Sequence, residues 1–392
     1  MPKTYLNIVL LFLAVLFFTC EKNDNEIIVI ATCDDGVQNG NETGIDCGGS
    51  CFKVCPPLNS LSGEIVSTIE LFANEEYLLT GPLLIRDGGS LIIQSGAVIK
   101  AEKGADKYIA VAQGGNLFVY GREDKPVIMT SNSDNPAPGD WGGIIICGMA
   151  PINSANVDRT DLLDIFYGGN NPNDSSGLIQ YLRIEYAGAN YNDDLNFSSI
   201  TFYGVGAFTT VNRIQSYMSL GNSFRFVGGT VNAEKLIGLN GYNGISIKDG
   251  WNGNLDRLYF ANQLNASLKI VNNNQNETVL PVTSGAIQNL SLIGPHTSGA
   301  IYYGMGGPEI TMNNIYTSGL NLGINVFGST ASEAIDNNLF SIDLIEFDNP
   351  FSNFLPTNHN GSNQGFYTLG SATGAGNRGN IPDWAENWTI GF

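Results

Sequence analysis

The sequence predicts an all-β protein: a parallel β-helix solenoid preceded by a small disulfide-rich module. Three observations carry this prediction: short apolar segments bounded by Gly, Asn and Asp, an internal repeat of about 22 residues, and four closely spaced cysteines near the N-terminus. The 392-residue chain contains 48 glycines and only 14% charged residues. Glycine and asparagine tolerate positive φ and favour tight turns, so we expect few long helices.

The repeat follows the pattern apolar-x-x-apolar-x-apolar. Strong copies begin at Ile179, Leu255, Ile287 and Ile342, and weaker copies begin at Val211, Ala233 and Met312. Successive copies lie 22 to 32 residues apart, so the longer gaps contain insertions, one of which is the polar run Asn272–Asn276. A 22-residue unit of three short strands fits one coil of a parallel β-helix, over residues 58–392. A β-sandwich is the alternative fold.

Stacked coils leave an open core at each end, and both ends need a cap. The tryptophans Trp384 and Trp388 are the large apolar side chains of the last segment, residues 381–388. We therefore expect this segment to cover the C-terminal end of the solenoid.

Residues 1–19 predict a lipoprotein signal peptide. Lys3 supplies the positive charge, and the following 11 apolar residues are too few to span a bilayer. Cys20 comes next and is the predicted lipid acceptor; an ordinary signal peptide followed by a chance cysteine is the alternative. Residues 20–32 read as a polar, acidic tether. These features predict an exported protein anchored by lipid to the outer membrane, at the cell surface.

Residues 33–55 form the predicted cysteine module, with Cys33, Cys47, Cys51 and Cys55. In an exported protein, four cysteines this close together indicate two disulfides, and three pairings are open. So small a module has no apolar core and needs cross-links. Zinc is a further alternative, although the spacing lacks paired CxxC motifs.

The same module echoes a calcium-binding loop. Asp35, Asn39, Gly40 and Asp46 stand at positions 1, 5, 6 and 12 of an EF-hand loop. Position 3 is Val37, which offers no side-chain oxygen. The sequence thus leaves open a Ca²⁺ ion held by Asp35, Asn39 and Asp46.

Composition excludes several functions. Eighteen Lys and Arg against 37 Asp and Glu give a net charge of −19, which repels nucleic acid. The two histidines, His296 and His359, are expected on surface loops, and no GxSxG motif is present. The adjacent pair Asp193–Asp194 lies in an Asn-rich loop and reads as a solvated turn. Other carboxylate candidates are Asp140, Asp249 and Asp256. No residue can be assigned a catalytic role.

Aromatic residues suggest a binding surface. Tyr186, Tyr191, Tyr203 and Trp251 are the candidate ligand-binding residues, because flat rings beside Asn and Asp suit sugar recognition. The alternative is that these rings stack inside the β-helix.

Several segments carry a family resemblance. They include LTGPLLIRDGGSLIIQSGAVIKA at 79–101, GDWGG at 139–143, FVGGTVNA at 226–233 and ENWTIGF at 386–392. They resemble right-handed, pectin-lyase-like β-helix surface lipoproteins of Bacteroidota, and the resemblance covers roughly residues 58–392. It implies a right-handed parallel β-helix on the cell surface and no settled activity.

The sequence departs from this family near the FVGGTVNA segment. Many members carry an acidic cluster just before it and another just after it. Here the first place holds Gly221, Asn222 and Arg225, and the second holds Tyr242, Asn243 and Gly244. Asp249 is the nearest remaining carboxylate. If the acidic clusters bind Ca²⁺ or catalyse a reaction in other members, that ability is lost here.

The sequence best supports a non-catalytic surface module that binds glycans or an outer-membrane partner protein. The alternatives are a polysaccharide lyase or hydrolase using carboxylates on one β-helix face, and a structural component of an envelope complex. Three or more charged side chains converging in one cleft would favour the enzyme, whereas a long groove of aromatics and Asn without them would favour the binding module.

Overall fold

The computed structural model describes residues 32–42, 46–53, 55, 59–273, 275–348 and 351–392. The chain divides into two compact units, residues 1–57 and 58–392. The predicted signal peptide, the lipid acceptor Cys20 and nearly all of the tether lie outside the described residues. Within the described residues, no helix has both the length and the apolar character needed to cross a membrane.

The cysteine module contains two disulfides, Cys33–Cys51 and Cys47–Cys55. The prediction of two disulfides is confirmed, and one of the three open pairings is selected. All four sulfurs are consumed in these bonds, so the zinc alternative is wrong.

The described part of the second unit is built from short strands, one short α-helix and a 3-10 helix at Asp383–Ala385. In chain order the elements are β1 (Ser60–Ile65), β2 (Thr68–Leu71), β3 (Glu76–Ile85), β4 (Ser90–Gln94), β5 (Val98–Ala101), β6 (Gly104–Val111), β7 (Asn116–Tyr120), β8 (Val127–Ser131), β9 (Trp141–Cys147), β10 (Asp158–Arg159), β11 (Phe166–Tyr167), β12 (Gly177–Glu185), β13 (Ile200–Tyr203), β14 (Thr210–Tyr217), β15 (Asn222–Val227), β16 (Ala233–Leu239), β17 (Asn243–Lys248), β18 (Asn252–Ala261), β19 (Ala266–Ile270), β20 (Ser284–Ile293), β21 (Ile301–Gly304), β22 (Glu309–Ser318), β23 (Leu322–Phe327), α1 (Ser329–Asp336), β24 (Phe340–Asp348), β25 (Leu355–Thr357) and β26 (Tyr367–Leu369).

Parallel pairing arranges these strands in three ladders of a right-handed β-helix, as predicted. Ladder A contains β2, β4, β7 and the first halves of the long strands from β12 to β24. Ladder B contains β5, β8 and the second halves of the same long strands. Ladder C contains β6, β9, β13, β15, β17, β19, β21, β23 and β25. Each coil passes through A, B and C in turn.

The strand register confirms the sequence repeat. The first positions of successive copies pair directly, as in Ile179 with Val211, Leu255 with Ile287, and Met312 with Ile342. All of these side chains are buried in one continuous core. The 22-residue period is therefore the length of one coil.

The gap of two residues between the first two apolar positions of the motif results from a bend in the backbone. The second of them adopts left-handed φ between 49° and 59° in six successive coils. These residues are Tyr181, Arg213, Lys235, Arg257, Asn289 and Asn314. The left-handed residue turns the chain from ladder A to ladder B, so the next side chain points inward again and the two-residue alternation is interrupted. Asn314 donates its amide to Asn289 Oδ1 at 2.7 Å, which links two of these bends.

Aromatic rings stack within the core. Phe202 packs on Phe226 with centroids 4.9 Å apart, and Phe226 packs edge-on against Trp251. Trp251 is fully buried, and its indole N–H donates to Val231 O at 3.1 Å. For this ring the alternative of internal stacking holds, because a coil of this width needs large apolar groups to fill it.

The outer face of ladder C is covered in its middle coils by the cover loop, residues 148–176, which contains the small β10–β11 hairpin. Ile152, Leu162 and Tyr167 of the cover loop form a second apolar cluster with the outward residues Ile145 and Cys147. Burial raises the pKa of the Cys147 thiol, so this cysteine is a protonated, unreactive thiol.

The C-terminal residues do not cap the end of the solenoid, so that expectation is wrong. Residues 372–392, here the C-terminal strap, run back along the outside of ladder B. Tyr259 Oη donates to Gly379 O at 2.9 Å, and Gln215 Nε2 donates to Ile390 O at 2.7 Å. Trp388 is fully buried there, edge-on to Tyr181. Near the last coils, α1 instead places Ala331, Ala334 and Ile335 in the main core and packs against β21, β23 and β24.

We predict that Trp388→Ala lowers the free energy of unfolding by about 3–5 kcal/mol, because it removes a fully buried ring from the strap. Phe208→Ala is the matched control, since that ring is 68% exposed and should contribute little. Urea unfolding followed by far-UV circular dichroism gives both values. Equal stability of the two variants would show that the strap does not stabilise the coils.

Candidate functional site

A polar cavity lies on the outer face of ladder C. Arg225, Ser246 and Lys269 occupy consecutive coils in direct register and point outward. Lys248 stands two residues after Ser246 on β17. Because parallel strands stack about 4.8 Å apart, these side chains are brought together although Arg225 and Lys269 lie 44 residues apart in the sequence.

Two loops wall the cavity. Asp194, Leu195 and Asn196 come from the loop before β13, and Asp161 comes from the cover loop. The cavity has a volume of about 370 Å³, and a neighbouring cavity of about 260 Å³ shares Asp161, Arg225 and Lys248 with it. The first cavity is lined by Asp161, Asp194, Leu195, Asn196, Gly221, Asn222, Arg225, Tyr242, Asn243, Ser246, Lys248, Lys269 and Val271.

Arg225 is held rigidly between the cavities. Its Nη2 donates to Asp161 Oδ2 at 2.6 Å, and its Nη1 donates to Asp161 Oδ1 at 3.1 Å and to Tyr203 Oη at 2.9 Å. Tyr203 Oη also donates to Asp161. Burial alone would raise the pKa of Asp161, but the Arg225 guanidinium outweighs it and brings that pKa to about 2.

The two lysines differ in their surroundings. Lys248 Nζ lies 2.8 Å from Asp249 Oδ2. Lys269 Nζ lies 5.4 Å from the centre of the Tyr302 ring, and among the described residues no carboxylate oxygen lies within 4.0 Å of it. Burial lowers the pKa of Lys269, and the nearby charges of Lys248 and Arg225 lower it further. Lys269 is thus a partly buried cation that forms no ion pair with the described part of the chain.

The family departures identify this cavity. Gly221, Asn222 and Arg225, which stand in the place of the first acidic cluster, line it, and so do Tyr242 and Asn243 from the second. Asp249, the nearest carboxylate, lines the neighbouring cavity. Lys269 and Asp161 were not anticipated, because nothing in the local sequence links them to these positions.

The four aromatic residues predicted to bind a ligand do not form one groove. Trp251 and Tyr203 are buried, so neither ring can stack on a ligand, and Tyr203 contributes only its hydroxyl beside Arg225. Tyr186 packs against Tyr217 on the strap side. Tyr191 is 46% exposed and lies edge-on to Phe197. The exposed ring at the cavity is Tyr242 instead.

The expectation of surface histidines is wrong. His296 is buried, with Nδ1 2.9 Å from Gln263 O and Nε2 3.0 Å from Ser267 Oγ, and burial lowers its pKa. His359 is also buried, 3.2 Å from Ser332 Oγ and 3.3 Å from Asp336 Oδ1. This Ser–His–Asp contact was missed, because Ser332 and Asp336 sit one turn apart on α1 while His359 comes from a later loop. It joins that loop to the helix.

The other carboxylate candidates do not converge on one point. Asp140 accepts from Ser131 at 2.6 Å, and Asp256 pairs with Arg257. Of the adjacent pair, Asp194 reaches the cavity. Asn272 and Asn273 of the polar insertion are buried, and hydrogen bonds satisfy their amides: Asn272 donates to Glu277 O and Asn273 donates to Asp249 Oδ1, each at 3.0 Å.

In the cysteine module, the proposed calcium ligands bond to their own turn. Both oxygens of Asp46 accept backbone N–H groups of Asp35 and Gly36 at 2.9 Å, and Asn39 Nδ2 donates to Asp35 Oδ2 at 2.8 Å. Glu42 lies near Cys33 and Cys51, but both sulfurs belong to a disulfide. The carboxylates already have partners, and calcium binding here stays a prediction.

Charged side chains therefore converge in one cleft, which was the feature expected of an enzyme. Most of these charged groups, however, already form ion pairs with each other or with a neighbouring residue. Arg225 is bound to Asp161 and Lys248 to Asp249, which leaves Lys269 and Asp194 as the groups without an ion pair among the lining residues of the first cavity. The cleft can hold and orient a polar ligand, while two free carboxylates facing each other are not present among those residues.

We predict that Asp161→Asn lowers stability at pH 7 by about 1 kcal/mol. The shift from 3.8 to about 2 corresponds to roughly 2 kcal/mol, reduced by solvent screening because the side chain is 34% exposed. The folded pKa is depressed, so this contribution is complete above pH 4 and disappears as pH falls toward 2. Urea unfolding at pH 7 and pH 2 should show the wild type and variant converging in acid. Asp164→Asn, which removes an exposed partner of Arg159, is the control; an equal loss there would contradict the argument.

Comparison with known families agrees with this architecture. No curated protein and no solved structure matches the chain. A family model described as a pectate-lyase-like β-helix domain matches residues 63–389, which is most of the β-helix unit. The chain therefore belongs to the pectate-lyase-like β-helix domain family.

Proposed function

We propose that this protein is a non-catalytic glycan-binding module, anchored by lipid at the cell surface, that holds its ligand in the ladder C cavity. The observation that carries the proposal is a concave, polar site of about 370 Å³ on the outer face of ladder C. Small-molecule sites commonly begin at about 300 Å³.

The lining suits a sugar. Asn243 Nδ2 donates to Asn222 Oδ1 at 2.9 Å, so the two amides form an ordered pair at the cavity wall. Asn222 Nδ2 also donates to Ser198 Oγ at 3.0 Å, and Asn243 Oδ1 accepts from Asn265 Nδ2 at 2.8 Å. The second N–H of each amide and the hydroxyl of Ser246 can still bond to sugar hydroxyls. Tyr242 presents a ring that is 47% exposed, and the apolar face of a sugar can stack on such a ring.

The number and pairing of the carboxylates in the cavity argue against a glycoside hydrolase. A glycoside hydrolase needs two carboxyl groups about 5–9.5 Å apart on either side of the bond, both free to act. In the cavity, Asp161 is bound twice by Arg225. Asp194 has no free carboxylate partner there.

A lyase is the second candidate, and Lys269 is the observation that favours it. Its lowered pKa makes it a stronger candidate than an ordinary lysine for removing a proton near neutral pH. The neighbouring Arg225 and Lys248 would stabilise negative charge that develops on the substrate.

We predict that the purified protein binds oligosaccharides and leaves them intact. The measurement is calorimetric titration with a panel of neutral and acidic oligosaccharides, followed by an assay of each mixture for new reducing ends and for unsaturated products. Tyr242→Ala should weaken binding about tenfold by removing the exposed ring, while Phe208→Ala, at an exposed ring outside the cavity lining, should not. New reducing or unsaturated ends would replace the binding proposal with the enzyme. Absence of any binding would move the proposal to an outer-membrane protein partner or an envelope component.

Attachment to the membrane is proposed through Cys20, and the acidic segment after it serves as the tether. We predict that Cys20→Ser abolishes incorporation of a labelled fatty acid and releases the protein from the membrane fraction. Cys147→Ser is the matched control, because that thiol is buried and should not be acylated. Fatty acid retained by the Cys20→Ser variant would point to another anchor.

A further inference from the structure

The outer face of ladder A stays open in the described part of the chain. The cover loop packs on ladder C and the C-terminal strap packs on ladder B. On ladder A, the outward side chains of β4, β7, β12 and β14 are instead partly or fully exposed. The outward positions of these four strands are called the ladder A platform below.

One column of the platform is apolar. Ile92, Phe118 and Leu178 stand in direct register on successive coils. Tyr120 comes two residues after Phe118 and therefore lies on the same face of β7. The rings of Phe118 and Tyr120 are nearly parallel, with an interplanar angle of 5° and centroids 6.2 Å apart, and Tyr120 is 39% exposed. The two rings offer a flat apolar surface on which the C–H face of a sugar can stack.

The second column supplies amide groups beside these rings. Gln94 and Gln180 lie directly on either side of Tyr120 in the strand register. Gln94 Nε2 donates to Glu70 Oε1 at 2.6 Å, and Gln180 Nε2 donates to Gly121 O at 3.5 Å. Among the described residues, no donor lies on the side-chain oxygen of either glutamine. Each amide therefore keeps an acceptor oxygen and a second N–H for sugar hydroxyls.

The charge of this face favours a neutral ligand. The outward positions of the platform hold no charged residue. In the next two coils, Glu234 and Asp256 follow Asn212 in register and line a groove of about 350 Å³ that has no cation among its lining residues. Arg257 pairs with Asp256 and lies 3.8 Å from Glu234, so it is already engaged. An acidic polymer would find no counter-charge here and would be repelled by the net charge of −19.

The platform and the groove form one continuous strip. Thr210 and Asn212 belong to both. The strip crosses six coils, from β4 to β18, and at about 4.8 Å per coil it is roughly 24 Å long. A single sugar would cover only a fraction of this length, so the strip fits an extended chain.

We propose that this strip is a second binding site, which takes an extended neutral polysaccharide with its sugar faces on Phe118 and Tyr120 and its hydroxyls on the glutamine amides. The proposal rests on the glycan-binding function proposed above for the class of its ligand. The site itself lies on a different ladder from the cavity. Recognition here depends on apolar contact and neutral hydrogen bonds, without an ion pair.

The test is native gel electrophoresis of the full chain through gels that contain a dissolved polysaccharide, with binding measured as retardation. Hydroxyethyl cellulose and dextran are the neutral probes. Carboxymethyl cellulose and dextran sulfate are their charged counterparts on the same backbones. We expect retardation by at least one neutral polymer, and binding of its charged counterpart that is weaker by about tenfold or more.

Variants locate the contact. The double substitution Phe118→Ala and Tyr120→Ala should weaken binding of the neutral polymer about tenfold, because both stacking rings are lost, whereas Tyr120→Phe should retain binding. Phe327→Ala is the matched control, since that ring is 53% exposed and lies on ladder C. Thermal unfolding shows whether each variant is folded. Tyr120→Ala alone, at the exposed ring, provides the same test if the double variant does not fold.

The outcomes separate this site from the cavity. Equal retardation of the wild type and the platform variant would overturn the ladder A site, and loss of retardation in Tyr242→Ala instead would place the polymer in the cavity. Equal binding of a neutral polymer and its charged counterpart would overturn the neutral ligand class. Lack of retardation by every polymer, while short oligosaccharides still bind in the calorimetric titration, would overturn this site and leave glycan binding intact. Failure of polymers and oligosaccharides alike would overturn both proposals.

Discussion

The structure depends on the register of parallel strands. Backbone hydrogen bonds hold each coil directly above the one before, so a side chain recurs at the same angular position about every 4.8 Å. Inward positions such as Leu255 and Ile287 make one continuous core. Outward positions on ladder C place Arg225, Ser246 and Lys269 in one column. Core and cavity are therefore consequences of the same pairing, and a slip of one residue would destroy both.

Much of this arrangement was predictable because it is local and repeated. The apolar motif recurs once per coil. The second residue of its two-residue gap has left-handed φ, and polar residues such as Asn289 and Asn314 can stand there. The presence of two disulfides was predictable from the close spacing of the cysteines, whereas their pairing was not. Contacts between segments that are far apart in the sequence could not be predicted from a local repeat. A large apolar residue such as Trp388 is typical of an end cap. Only the three-dimensional path of the C-terminal strap shows that it packs on the outside of ladder B instead.

The residues of the candidate site also divide into those that the sequence could indicate and those that only the structure shows. Gly221, Asn222, Arg225, Tyr242 and Asn243 were identifiable because they interrupt a family pattern, and all five line the cavity. Individual aromatics were poor guides, because a ring can face inward or outward depending on a single bend. Trp251 fills the core, whereas Tyr242 reaches the surface. Asp161 belongs to the cover loop, whose packing against Ile145 and Cys147 no local pattern reveals.

The strongly acidic composition of the chain and the cluster of three cations in the cavity are compatible because their charges act over different distances. At physiological ionic strength the field of surface charges decays over about 8 Å, so the net charge of −19 is largely screened from a ligand already in the cavity. Inside, the partly buried Lys269 and the rigid Arg225 act at contact distance, where screening is weak. Arg225 is paired with Asp161 and Lys248 with Asp249, so contacts between neighbouring side chains, rather than the net charge of the chain, set the electrostatics of the cavity.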